Sequence, residues 1–203
     1  MEQYMKNRFP FLGIGATERR SALKSYNQSK PWHPQLDELS DFVTACWEIP
    51  YREIHYCAQE ELFRYRKCWN SEMLPLFEHL ITHQSWWDSV DFLASNVLGY
   101  HFRKYPEQIR PAVNKWLKGQ NLWLMRSTLL FQLRYKAETD EAVLTELVEE
   151  LADHPDFFIR KAIGWALREY GKTNPAFVTK TVGQVEMSGL SKREATRLLS
   201  KAT

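Results

Sequence analysis

At 203 residues, 44% hydrophobic and 26% charged, the chain is long enough for one buried domain and too apolar to be disordered. It holds no run of 18 apolar residues, and its Met1-Glu2-Gln3-Tyr4 start lacks the apolar core of a secretory signal, so a cytoplasmic protein with no membrane partner is expected. A net charge of +2 excludes a uniformly basic surface but not one basic face, because Arg19-Arg20-Lys24, Arg64-Arg66-Lys67, Arg160-Lys161 and Lys192-Arg193-Arg197 are clustered while Asp140-Glu141 and Glu146-Glu149-Glu150 gather elsewhere. Taken singly, such clusters are more often solvated helix faces.

In chain order, Leu36, Leu39, Phe42, Val43, Cys46 and Trp47 recur at the spacing of one helix face, and Ile54, Cys57, Ala58 and Leu62 do the same. Cys46, Cys57 and Cys68 lack C-x-x-C spacing and are read as buried free thiols in a reducing compartment. His79 and His83 stand four apart, a pair read as structural, and no metal site is expected. Ser85, with Asp88 three residues on, predicts a capping box at the start of the next helix. Val143, Leu144, Leu147, Val148 and Leu151 form a further stripe. Ile159, Ala162, Ile163, Ala166, Leu167 and Tyr170 form the last, with Gly171 as its C-terminal stop. Pro31, Pro34, Pro50, Pro106, Pro111, Pro155 and Pro175 punctuate these segments, and convincing strand alternation is absent.

Helix openings also repeat. Each of Tyr51-Arg52-Glu53, Trp87-Asp88-Ser89, Met125-Arg126-Ser127 and Ile159-Arg160-Lys161 sets a charged residue behind an aromatic or apolar one, and the charged positions 52, 88, 126 and 160 step by 36, 38 and 34. That period suits a HEAT-like repeat of two antiparallel helices. The expected fold is an all-α curved solenoid, one domain over 1–203, with equivalent helices lining a concave face. Such a face could cradle DNA or bind a protein.

The densest chemistry is Ser85-Trp86-Trp87-Asp88-Ser89-Val90-Asp91. Trp87 and Asp91 are four apart and share a helix face. A carboxylate there either accepts a structural hydrogen bond from a neighbour or does chemistry, and spacing alone does not choose. Arg126 and Trp165 are expected at comparable places in the next two repeats. Two indoles, a carboxylate and a guanidinium suit a cationic substrate, since indole faces attract cations by about 0.5–2 kcal/mol. Arg126 is expected to lower the Asp91 pKa and hold it ionised.

These residues carry a resemblance. Tyr4-Met5-Lys6-Asn7, Phe11-Leu12-Gly13-Ile14, Glu18-Arg19-Arg20, Tyr51-Arg52-Glu53, the Ser85–Asp91 string, Leu122-Trp123-Leu124-Met125-Arg126-Ser127 and Phe158-Ile159-Arg160-Lys161-Ala162-Ile163-Gly164-Trp165 resemble the AlkD-type DNA alkylation repair enzymes, HEAT-like-repeat DNA glycosylases, over nearly the whole chain. The resemblance implies excision of cationic N3- and N7-alkylpurines from duplex DNA, without flipping the base into a tight pocket. It implies Asp91 as the catalytic aspartate, Trp87 and Trp165 as walls around the lesion, and Arg126 beside the aspartate. Tyr4 matches a tyrosine near the cleft, and Arg168 is expected on the DNA backbone. Arg20, Arg160 and Lys161 are the further DNA-binding candidates. A monofunctional hydrolase is expected, with no cofactor and no partner subunit. Two departures stand out: the chain begins almost on the Tyr-Met-Lys-Asn string, and Thr17 replaces a proline. The competing readings are a non-catalytic DNA-structure binder on the same solenoid and a protein-interaction scaffold.

Overall fold

The computed structural model describes residues 1–199, so the end of the expected 1–203 domain lies outside the described part. Among the described residues the secondary structure is helical and no strand occurs, and no helix is long and apolar enough to cross a membrane. The chain divides into two compact units, Met1–Ser85 and Trp86–Thr203.

The first unit contains α1 (Ala16–Ser29), α2 (Leu36–Glu48), α3 (Arg52–Arg64) and α4 (Leu74–Thr82). The predicted stripe of α2 buries Leu39, Val43 and Trp47, and the Trp47 indole donates to the His83 carbonyl at 2.9 Å. α3 is buried on several sides, including Arg52, His55, Ala58 and Leu62. Buried Arg52 lies 4.0 Å from the Phe9 ring and donates to the Gln84 carbonyl at 2.7 Å. Glu53 organises the loop before α1: its carboxylate accepts the backbone N–H groups of Leu12, Gly13 and Ile14 at 3.0, 3.0 and 3.2 Å. Gly13 is at φ +80°, a left-handed conformation that glycine adopts freely. Thr17 lies within the first turn of α1, so the helix starts there without the proline. Cys46 and Cys57 are half-buried free thiols. Cys68 departs from expectation: it is exposed, because Arg66–Cys68 is a short 3-10 turn beyond the stripe of α3.

The second unit opens with α5 (Trp87–Phe92), a π-helical segment (Leu93–Leu98) and α6 (Gly99–Lys104). Phe92, Leu93, Leu98 and Gly99 all have helical dihedrals, so these three pieces make one rod. Then come α7 (Ile109–Gly119), α8 (Leu122–Leu130), α9 (Glu141–Leu151), α10 (Phe157–Tyr170), α11 (Pro175–Gln184) and α12 (Gly189–Thr196). Asn121, Asp140 and Asp156 cap α8, α9 and α10 by accepting first-turn N–H groups. The rod approaches the end of α8 closely. A Cβ on Gly99 would sit 2.6 Å from the Phe131 carbonyl oxygen, and the Tyr135 hydroxyl donates to the Gly99 carbonyl at 2.7 Å. The stripe read on α10 is buried throughout, and Gly171 is its C-cap, with an ordinary right-handed φ of −59°. α12 packs on α10 at Gly164, where a Cβ would lie 2.5 Å from that of Glu194.

Three expectations change. Pro111 does not break the chain; it lies in the first turn of α7, where its missing N–H would have had no helical partner. Ser85 does not cap α5: its hydroxyl donates back to the Ile81 carbonyl at 2.6 Å, and extended Trp86 takes the N-cap position. Asp88 still places negative charge in the first turn, where the helix dipole favours it. The repeat register also shifts. α3, α5, α8 and α10 begin at 52, 87, 122 and 157, three equal steps of 35. On that register Asp91 and Arg126 are both fifth in their helices, whereas Trp165 is ninth, one turn further on.

Candidate active site

Asp91 and Arg126 meet because α5 and α8 pack together and present their fifth residues to one another. Arg126 Nε donates to Asp91 Oδ1 at 2.7 Å and Nη2 to Oδ2 at 2.9 Å, a fork-to-fork pair. Arg126 Nη1 is held by the Phe158 carbonyl in the first turn of α10. The guanidinium is therefore fixed from two helices. The pair is largely dry, with side-chain exposures of 6% for Arg126 and 15% for Asp91.

Burial pushes the Asp91 carboxyl above the usual carboxylate range. Arg126 pulls it down through hydrogen bonds and charge, and the Asp88 charge adds to the upward push. The expectation that Arg126 would leave Asp91 with a lowered pKa is thus corrected. Its pull has the expected sign, but desolvation outweighs it. Both oxygens act as acceptors in the fork, as the carboxylate form requires, and its proton affinity lies above that of an ordinary aspartate.

The π segment begins two residues after Asp91. Single π turns inside α-helices recur at functional sites. Here the widened turn is stitched by side chains: Ser95 donates to the Asp91 carbonyl at 2.7 Å and Asn96 to the Phe92 carbonyl at 3.1 Å. The backbone of Asp91 is thus held from one side and its carboxylate from the other.

Asp91 faces an open cleft of about 350 Å³, lined also by Phe92, Ser95, Asn96, Leu133, Arg134, Trp165 and Glu169. Trp165 is half-buried on α10 and forms part of the same wall. Trp87 opens α5 one turn before Asp91 and is half-buried. The Trp86 indole packs edge to face on Trp123 and Phe158, which meet at a tilt, with centroids 5.0–5.6 Å apart, and the three brace the starts of three helices. Sequence reasoning missed Ser95, Asn96, Arg134 and Glu169. Glu169 had a usable signal, since it lies four residues after Trp165 on the same helix face. Arg134 follows α8 in a turn, where no periodicity marks it.

A family model for DNA alkylation repair enzymes matches residues 1–199. The chain belongs to the DNA alkylation repair enzyme family. Its fold is similar to a solved structure of a predicted DNA alkylation repair enzyme from Enterococcus faecalis, at 29% identity and a TM-score of 0.87, covering 99% of this chain and 93% of that one. A search of curated proteins finds no match. The resemblance read from the sequence is borne out at the level of the family and the helical fold.

For a DNA alkylation repair enzyme the substrate is DNA, and the basic candidates differ in how available they are. Lys161 and Arg168 flank Trp165 on α10, yet both are held by Glu194 of α12, at 2.8 and 2.5 Å. Arg160 donates to the Pro155 carbonyl. Arg20 pairs with Glu60 at 3.0 Å, and Tyr4 is 67% exposed; both belong to the first unit. Arg134 is exposed on the cleft, and its guanidinium has no ion pair among the described residues. His79 and His83 stack at 4.0 Å, and no group of three or more His, Cys, Asp or Glu side chains able to hold a metal occurs among the described residues.

Proposed function

We propose that this family member is a cytoplasmic, monomeric DNA glycosylase that hydrolyses the N-glycosidic bond of N3- and N7-alkylated purines in duplex DNA without cutting the strand. The observation that carries the reading is a largely buried aspartate, held in a bidentate fork, on the wall of a cleft it shares with an indole.

An alkylated purine is already cationic and needs no protonation to leave. As the C1′–N bond breaks, its electron pair goes to the purine, which departs neutral, and positive charge passes to the sugar. A carboxylate fixed in a dry site stabilises that charge without reorganising. Water then adds at C1′ and gives up a proton, which the raised proton affinity of Asp91 suits it to accept. Trp165 offers an indole face to the cationic sugar or base, and Trp87, on the face of α5 that carries Asp91, is the second such wall. Among the described residues no lysine lines this cleft, which supports hydrolysis over a covalent amine route. The cleft is an open groove, which supports recognition of the lesion without an enclosed base pocket.

Incubation with N7-methylated duplex DNA tests this directly. Free N7-methylguanine should appear while the strands stay intact until alkali is added. No release, or strand scission without alkali, would count against the proposal.

A further inference from the structure

A second carboxylate stands in the cleft with Asp91. Glu169 lies one turn beyond Trp165 on α10, and both line the cleft. Its side chain is 33% exposed, and Oε2 takes the Lys172 ammonium at 2.6 Å. Oε1 has no hydrogen bond among the described residues. Lys172 lines an adjoining cavity of about 300 Å³ that shares only Leu133 and Glu169 with the cleft.

The two carboxylates are unequal. Both Asp91 oxygens accept a hydrogen bond from Arg126, and the pair is close to neutral in charge. The Glu169–Lys172 pair is near neutral too, but it engages only Oε2, so a cation that reaches Oε1 still gains short-range Coulomb attraction. Asp91 is therefore suited to act at short range on charge that develops beside it. Glu169, more exposed and with an oxygen free, is suited to attract a positive charge already present on an arriving base. Arg134 in the same cleft opposes that attraction, so discrimination rests on the carboxylate.

We propose that Glu169 is the specificity-determining residue through which this cleft prefers a cationic nucleobase to a neutral one. The proposal rests on the glycosylase reading of the same site, and it requires nothing of Lys172 beyond weakening the effect. A purely structural Glu169–Lys172 pair would behave differently, since losing either member would then have the same result.

The test measures binding of wild type, Glu169→Gln and Lys172→Met to two duplexes that differ at one base. One carries a 2′-fluoro N7-methylguanosine, cationic and resistant to cleavage, and the other carries guanine. Wild type should prefer the cationic duplex. Glu169→Gln should lose about tenfold of that ratio, with affinity for the guanine duplex unchanged or raised. Lys172→Met should keep or increase the ratio. Single-turnover release of N7-methylguanine should fall in Glu169→Gln by a similar factor. The proposal is overturned if wild type shows no preference, if Glu169→Gln keeps the wild-type ratio, or if Lys172→Met loses it equally. Preference for the cationic duplex without any base release would sink the glycosylase reading and leave this one standing.

Discussion

At Asp91, burial and pairing pull in opposite directions, and the net effect is a carboxyl harder to ionise than usual. The active form in the proposed mechanism is the carboxylate. Activity should therefore fall on acidification at a pH above the ordinary aspartate value, as protonation removes the anion. The linkage to stability has the opposite sense. The folded state binds this proton more tightly than the unfolded chain, so Asp91 alone makes the fold less stable as pH rises from the unfolded to the folded pKa. Arg126→Ala removes the one strong downward pull. The acid limb of a pH–rate profile should then move further up, and stability should fall by about 3 kcal/mol, as for a broken buried pair. An acid limb that stays in place would show that Arg126 does not govern Asp91. Much of this residue-level picture was legible early: the spacing from Asp91 to Arg126 is one helical-repeat period. The direction of the Asp91 shift was not, because desolvation depends on the walls of the cleft rather than on the partner. Arg134 was hidden altogether, since it follows α8 in a turn, whereas Glu169 was marked only by its place four residues after Trp165, and a charged residue there looks the same whether it faces solvent or a site.

Helices were read well where their apolar stripes are buried. The stripes of α9 and α10 became buried faces with the expected residues inside, while that of α2 buries Leu39, Val43 and Trp47 but leaves Phe42 exposed and Leu36 and Cys46 half-buried. The misreadings have physical causes. Ser85 was taken by the preceding carbonyl of Ile81, so a good cap residue did not cap. The π segment leaves no periodic mark in the sequence; it sits between Asp91 and the close approach of Gly99 to Phe131. That approach makes a prediction. Gly99→Ala places a methyl 2.6 Å from a backbone oxygen, so the rod must shift away from α8, at a cost of about 1–3 kcal/mol. Because Asp91 rides on the same rod, base release should drop along with the melting temperature. Gly164→Ala should destabilise by a similar amount through Glu194 and Ser191, and it should loosen the hold of α12 on Lys161 and Arg168. Thermal melts and release assays of the two variants, side by side, check both statements. A Gly99→Ala protein as stable as wild type would mean that the rod and α8 are not held at this distance.

For the molecule as a whole, a net charge of only +2 makes DNA affinity depend on a few well-placed cations. The cleft offers Arg134, exposed and without an ion pair among the described residues, whereas Lys161 and Arg168 are already engaged by Glu194. Arg134→Ala should weaken binding to damaged and undamaged duplex alike, and it should flatten the salt dependence by about 0.9 in the slope of log K against log salt. An unchanged slope would place Arg134 away from phosphate. The proposed chemistry stands on the role of Asp91. Its most direct test is single-turnover release of N7-methylguanine from methylated duplex DNA by wild type and Asp91→Asn, with DNA binding measured in parallel. Release should fall by about 10²-fold or more while binding persists. Release by Asp91→Asn at the wild-type rate would contradict that role.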